Sequence, residues 1–336
     1  MAETGRPFTA GIVDFNPKRM SPTEAHAHGI PDDLIGHLGD WRQYPPNIAQ
    51  HFPEGVSWFR AEQPWYFGSI MTDEKHLQGL RASDVLILSG SGLSAHRYQH
   101  GEISEEYRSA LEKSQEVIRD HLGEGKWILG ICFGGQLAIH AVGGDIGRLP
   151  DNVTEAGWLP HQLTSEGRRD DMFSVLPNTF FAPHLHNDYV EKLPPVGTKI
   201  RTSSGETEVV FTEVLAMRAG YQDKTGLVGA ETNYIMASVV AFSNGARLYQ
   251  IQPHPEMATP KKANYLVRMN PWIGKENEMG EAYYQKALLV PEDADFSVAK
   301  IIPRFVHEAQ RHLEEQRGIV FMKATLLRNL FQYLIP

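Results

Sequence analysis

A single cysteine, Cys132, occurs in the 336 residues, and it sits in the stretch GICFGGQ, residues 130–136. Gly130 and Gly134 stand two positions to either side of it. An apolar run, WILGI (127–131), leads in, and a run from Gly134 to Val142 that suits a helix leads out. A nucleophile on a tight strand-to-helix turn needs such neighbours, because the backbone there is strained and bulky side chains would clash. The free N–H groups and positive dipole end of the following helix favour thiolate over thiol. The same N–H groups can hold an oxyanion that develops during attack on a carbonyl. The bland alternative is a buried structural cysteine beside a close-packed glycine turn.

A thiolate nucleophile works with a base, and the base with a group that orients it. With 15 histidines in the chain, a histidine somewhere nearby says little. The stretch QIQPHPEM (250–257) says more, because it follows a strand-like run and so lies at a strand's end. In extended chain, residues two apart project to one side. His254 and Glu256 therefore face the same way, with Pro255 stiffening the link. Glu256 can then accept from one imidazole nitrogen while the other faces a thiol, which is the logic of a catalytic triad in any chain order. Alone, the motif reads equally well as a surface turn. Beside the cysteine elbow it predicts a set of Cys132, His254 and Glu256 meeting across one cleft.

The elements that must hold these groups can be read in outline. AGIVDFN (10–16), DVLILSGSG (84–92) and WILGI (127–131) are apolar runs that read as buried strands. Residues 105–126 place Tyr107, Leu111, Val117, Ile118 and Leu122 near helical spacing and end at Gly123 and Gly125. Strand, helix, strand, helix at these lengths predicts an α/β fold: an open, mostly parallel twisted sheet with helices on both faces. EVVFTEVLAMRAG (208–220) and IMASVVAFSNGARLYQIQPH (235–254) read as further strands joined by turns such as Ser243-Asn244-Gly245. Residues 16–64 form an irregular insertion with weak periodicity. The division expected is an α/β domain over 1–265 and a helical C-terminal extension over 266–336. In that extension Val298, Ile301, Ile302, Phe305, Val306, Ala309 and Leu313 trace one helical face, with Pro303 starting or kinking the helix. A second helix is expected after Gly318, with Leu326, Leu327, Leu330, Phe331 and Leu334 on one side. This extension is expected to pack on the core or to dock a partner or a second copy of the chain.

Composition narrows the function classes. The net charge of -9 does not suit a nucleic-acid surface or an anionic membrane. One cysteine excludes an intrachain disulfide framework and a multi-cysteine zinc site. No run is long and apolar enough to span a bilayer, and MAETGRPFTAG lacks a signal pattern. The expectation is a soluble, cytoplasmic protein.

GICFGGQ (130–136) together with QPHPE (252–256) resembles the class I, or triad-type, glutamine amidotransferases. The family pattern Gly-x-Cys-x-Gly-x-Gln is met by Gly130, Cys132, Gly134 and Gln136, and its His-Pro-Glu element by His254, Pro255 and Glu256. Three further stretches follow in the family's order: LSGSG (88–92), EAGW (155–158) and HNDYVEKLP (186–194). The resemblance implies a flavodoxin-like sheet and attack by Cys132 on the side-chain amide of glutamine, with a γ-glutamyl thioester as intermediate. It implies an oxyanion hole from the N–H groups of Ser91 and Phe133. It also implies a glutamine site formed by Gly90, Gln136, Leu185, His186, Asn187 and Asp188. The oxyanion loop departs from the family in reading Ser-Gly-Ser-Gly where Ser-Gly-Gly-Pro is common.

His184 and His186 alternate by two and invite a metal, but no third ligand stands at a convincing spacing, so no metal and no cofactor are expected. SGSGLS (89–94) and GEGK (123–126) lack the residues of nucleotide phosphate loops. Three readings follow. The first is a glutaminase that supplies ammonia to a separate ATP-dependent synthetase. The second is a free-standing γ-glutamyl hydrolase or peptidase using the same triad. The third is a non-catalytic regulatory module.

Overall fold

The computed structural model describes residues 8–15, 48–62 except 55, 74–149 except 104, 154–218, 234–259, 285–334 except 293 and 295, and residues 262, 263 and 267. The first strand, β1 (Thr9–Asp14), pairs in parallel with β2 (Ser57–Glu62). Most of the insertion expected over 16–64, and the two strand ends expected at Asn16 and over 219–220, lie outside the described residues. Helix α1 (Glu74–Ala82) leads into β3 (Val85–Leu88), and the short α2 (Ala95–Gln99) and the long α3 (Glu105–Gly123) follow. The cysteine turn joins β4 (Trp127–Ile131) to α4 (Phe133–Ala141). Five strands come next: β5 (Asp145–Arg148), β6 (Glu155–Leu163), β7 (Thr179–His186), β8 (Asp188–Lys192) and β9 (Lys199–Thr202). The long β10 (Gly205–Arg218) precedes the hairpin of β11 (Ile235–Phe242) and β12 (Arg247–Ile251). A 3-10 turn at Pro255–Met257 follows, and the chain ends in α5 (Ile301–Leu334).

The sheet runs β2-β1-β3-β4-β12-β11-β10-β6-β7, with β5, β8 and β9 attached off that path. From β2 to β12 every pairing is parallel, and from β12 to β7 every pairing is antiparallel. The sheet is thus mixed rather than parallel over most of its width. The reason lies in the connections. A tight turn such as Ser243–Gly245 can join only antiparallel neighbours, whereas a helix can cross back to a parallel one.

Alternation along the central strands feeds two cores. Val85, Ile87, Trp127, Leu129, Ile131, Tyr249 and Ile251 face one side, where they meet Val298, Ile301, Ile302, Phe305, Val306 and Ala309. Leu86, Leu88, Ile128 and Leu248 face the other, under Leu111 and Ile118 of α3 and Leu137 of α4. Helices therefore cover both faces. The apolar stripe expected over 298–309 is fully buried, and Leu313 is half-buried. Pro303, the third residue of α5, sits where a missing N–H is tolerated. The break expected at Gly318 is not there: α5 runs through it as one helix of 34 residues. A glycine inside a helix costs about 1 kcal/mol and does not by itself end it. The stripe expected from Leu326 to Leu334 concerns side chains outside the described residues.

Candidate active site

Three neighbouring parallel strands end side by side, and that is how residues 90, 132 and 254 come together. Leu88 of β3 is level with Gly130 of β4, and Ile131 of β4 is level with Ile251 of β12. The loops after these strands, residues 89–94, 132 and 252–254, therefore share one edge, the carboxyl edge where open α/β sheets build sites.

Cys132 caps α4 with φ 50° and ψ -118°, a left-handed conformation that costs a side-chain-bearing residue of order 1–3 kcal/mol. Its N–H is held by Ile251 O at 2.8 Å. The glycines around it serve packing. A Cβ on Gly130 would lie 2.4 Å from Gly135 Cα, and one on Gly134 would lie 2.6 Å from Leu88 O. The first turn of α4 thus rests directly on β3 and β4, and Gly134 N–H donates to Ser89 O at 3.2 Å.

His254 Nδ1 lies 2.8 Å from Glu256 Oε1, and both side chains are buried. The contact closes within the 3-10 turn Pro255–Met257, not along the extended chain that the spacing suggested. Cys132 stands close enough to His254 to act on its charge. Burial opposes charge on this imidazole, yet the Glu256 carboxylate and Cys132 outweigh it and push its pKa up to about 10. A Cβ on Gly90 would lie 2.6 Å from His254 Cε1 and 3.5 Å from Cys132 Cβ. Only a residue without a side chain lets the loop after β3 approach both.

A cavity of about 210 Å³ opens over this group, lined in part by Ser91, Cys132, Phe133, Gln136, Leu185 and His254. Phe133 is the first residue of α4, so its N–H has no earlier partner within the helix. The Ser91 hydroxyl donates to Phe15 O at 3.1 Å and accepts from Leu93 N. Gln136 Nε2 donates to Asp188 O at 2.7 Å and to Gln252 Oε1 at 3.1 Å, which ties the helix to the opposite wall. Leu185 O lies 3.8 Å from the sulfur. Asn187 Nδ2 donates to Thr154 Oγ1 at 2.7 Å. The Asp188 carboxylate accepts from Ser94 Oγ at 2.6 Å and from His96 N. His186 borders the cavity, but its ring nitrogens are bonded away from it, to Asp188 O and His184.

Several residues at the site have no counterpart in the sequence expectations. Gln252 Nε2 reaches the sulfur at 3.5 Å. It lies two residues before His254, and that spacing was the signal that could have found it. Arg97, Ser94 and Arg148 line the cavity, and Arg148 Nη1 is 3.5 Å from Asp188 Oδ1. Behind His186 lies a buried polar ring. His161 Nε2 is 2.7 Å from His184 Nε2, His184 Nδ1 is 3.0 Å from His186 Nε2, and His186 Nε2 is 3.2 Å from Glu155 Oε2. Arg218 Nε donates to Glu155 Oε1 at 3.0 Å. Burial opposes charge on Glu155, but His186 and then Arg218 hold its pKa down at about 2. Burial pushes His161 down to about 3, and it lowers His184 as well.

Residues 72–222 match the family model described as glutamine amidotransferase class-I. That segment holds Cys132 and ends before His254. A curated relative, GMP synthase [glutamine-hydrolyzing] from Neisseria meningitidis serogroup C, is 36% identical over 67 residues, which is 20% of this chain. The aligned part is 12% of that relative's length. Among solved structures, a glutamine amidotransferase from Thermotoga maritima aligns with TM-score 0.51 at 13% identity, covering 90% of this chain and 98% of that one. A glutamine amido transferase from Methylobacillus flagellatus aligns with TM-score 0.52 at 15% identity, covering 92% and 94%. At these identities the two structures speak to fold, and the mixed sheet with helices on both faces is the fold they share with this chain. Among the described residues no helix is long and apolar enough to cross a membrane.

Proposed function

We propose, from the match of residues 72–222 to the class-I glutamine amidotransferase model, that the protein hydrolyses the side-chain amide of glutamine and passes the ammonia to a separate synthetase. Cys132 is the nucleophile, His254 the acid and base, and Glu256 the group that orients His254. The observation that carries this reading is the chain of contacts from Glu256 through His254 to Cys132 at one strand edge, beneath a cavity.

With its pKa near 10, His254 holds a proton at neutral pH, which suits a thiolate at Cys132. The sulfur attacks the amide carbon and forms a C–S bond. The oxygen takes up the negative charge facing the N–H of Phe133 and the loop of Ser91. As the C–N bond breaks, His254 gives its proton to the leaving nitrogen and ammonia departs. Water then attacks the γ-glutamyl thioester, His254 takes a proton from it, and glutamate leaves as the C–S bond breaks. Gln136, Leu185, Asn187 and Asp188 form the wall against which the amino acid is held.

The synthetase half of the proposal draws support from a relative whose name joins a synthase with glutamine hydrolysis. A second reading, a free-standing γ-glutamyl hydrolase, is favoured by one observation. Arg97, an exposed cation, stands on the cavity wall where a carboxylate beyond the scissile bond of a γ-glutamyl peptide would find it. A substrate panel separates the two. Native chain and Cys132→Ser are given glutamine, a γ-glutamyl anilide and γ-glutamyl peptides, and release of ammonia or amine is followed. Glutamine turnover that falls about 10³-fold or more in Cys132→Ser is expected. Rapid peptide cleavage with glutamine ignored favours the hydrolase, and near-native turnover by Cys132→Ser removes the mechanism.

A further inference from the structure

With its three imidazoles neutral, the buried ring behind the wall has more lone pairs than protons to satisfy them. Glu155 and His186 stand opposite one another in the β6–β7 register, and His184 is opposite Gly157. Alternation puts Glu155, His161, His184 and His186 on one face of this strand pair. His186 Nδ1 lies 3.0 Å from Asp188 O, and a carbonyl only accepts, so the ring proton is on Nδ1. In a neutral ring Nε2 then offers a lone pair toward both His184 Nδ1 and Glu155 Oε2, and only a second proton or a metal cation between them turns that contact into the attraction that holds Glu155 ionised. A proton on His184 Nδ1 settles the first contact and leaves the second unsettled. Among the described residues Glu155 Oε2 is buried and has no hydrogen-bond partner, although it lies 3.2 Å from that nitrogen.

The three atoms Glu155 Oε2, His184 Nδ1 and His186 Nε2 lie within 4.8 Å of one another. Tetrahedral ligands about 2.0–2.1 Å from a zinc ion stand about 3.3 Å apart. The separations here, 3.0 and 3.2 Å, are close to that. The outer contacts also suit metal binding, since ligating imidazoles pass their other N–H to an acceptor and ligating carboxylates are themselves hydrogen-bonded. His184 Nε2 faces His161 Nε2, His186 Nδ1 faces Asp188 O, and Glu155 Oε1 accepts from Arg218. We propose that Glu155, His184 and His186 bind one divalent first-row transition ion of the zinc type, with His161 and Arg218 as its outer partners. The third ligand that the His184–His186 spacing lacked comes from the neighbouring strand, 29 residues earlier. The ion would pin β6 to β7 at the residues that flank Leu185, and so fix the cavity wall without touching the substrate.

The test uses the full chain, stripped with a chelator and titrated with zinc chloride. One equivalent of zinc is expected, bound equally by native protein and by Cys132→Ala. Affinity is expected to fall more than tenfold in His184→Gln and about tenfold in His161→Phe. Circular dichroism and the thermal midpoint of the stripped variants, matched to stripped native protein, separate a lost ligand from a lost fold. X-ray absorption at the zinc edge on native protein needs no variant, and two imidazoles with a carboxylate oxygen and no sulfur are expected. Sulfur in the shell, loss of zinc in Cys132→Ala, or no zinc held beyond the level of His184→Gln overturns the proposal and leaves a proton as the shared cation.

Discussion

In the parallel half of the sheet the groups placed for chemistry stand on loops just past the strand ends, whereas in the antiparallel half they stand inside the strands. Gly90, Cys132 and His254 follow β3, β4 and β12 by one to three residues. Glu155, His161, His184 and His186 lie within β6 and β7 and never leave the hydrogen-bonded ladder. Parallel strands send all their carboxyl ends to one edge, so a strand end is enough to place a reacting group. Antiparallel strands alternate in direction, so their contribution is a wall built from one face. Under the proposed mechanism, reactivity is held by a few loop positions and wall shape by buried polar contacts.

Changing Glu256 should break the first half most severely. Glu256→Gln keeps the shape but removes the charge that opposes desolvation of His254. Turnover is expected to fall about 10⁴-fold, the size of loss seen when an orienting carboxylate is neutralised. It should also alter the pH dependence of stability. His254 has a folded pKa near 10, above its ordinary 6.5, so its contribution is full below pH 6.5 and is lost as pH rises toward 10. Urea midpoints measured from pH 6 to 10 should decline for native protein and decline much less for Glu256→Gln. Equal slopes would show that Glu256 does not govern the proton on His254.

In the wall, Arg218→Met should act on stability. Arg218 and Glu155 are paired and largely buried, and removal of one partner leaves the other's charge uncompensated. A loss of about 3 kcal/mol is expected in urea unfolding. Adding Glu155→Gln should return part of it, since the stranded charge is then gone. A loss without any recovery would mean that Arg218 acts by packing alone.

These two halves were unequally legible. WILGI (127–131) matches β4 residue for residue because a short apolar run between a glycine turn and a nucleophile turn has one sensible reading. The Cys132 and His254 placements followed from motifs whose residues are local in sequence. EAGWLPHQL and TFFAPHLH are β6 and β7, yet glycine, proline and histidine break their alternation, so their pairing left no pattern to read. Glu155 and His186 are 31 positions apart, and only the register brings them together. Gly130 and Gly134 are legible as positions where a side chain would clash, but only the structure shows that the clash would be with the first turn of α4 and with β3. The unbroken α5 was hidden because Gly318 resembles a stop signal and carries no neighbour to reveal otherwise.

Gly90→Ala sharpens the account of the parallel half at a smaller scale. The added methyl would fall 2.6 Å from His254 Cε1, so the ring or the loop must shift by roughly an ångström to restore van der Waals contact. Displacements of that order at a reacting pair cost about 10²-fold in rate. The expected result is a fall in kcat of that size with an unchanged thermal midpoint. A variant with native kcat would show that the loop yields and that its close approach is not required.

The smallest effect concerns the strain at the proposed nucleophile, Cys132. Cys132 has φ 50° and ψ -118°, where a Cβ is unfavourable and glycine is not. Cys132→Ala and Cys132→Gly both abolish the thiol, so activity cannot distinguish them, but only glycine relieves the backbone. Glycine also adds freedom to the unfolded chain, which opposes the gain by about 0.4–1 kcal/mol. If the strain lies in the upper part of its usual range, Cys132→Gly should be the more stable of the two by about 1 kcal/mol in urea unfolding. Equal stabilities would mean that the strain is no larger than the entropy that offsets it. A less stable glycine variant would mean that the turn is held without strain, and the contrast between loop-borne reactivity and strand-borne wall would then rest on position alone.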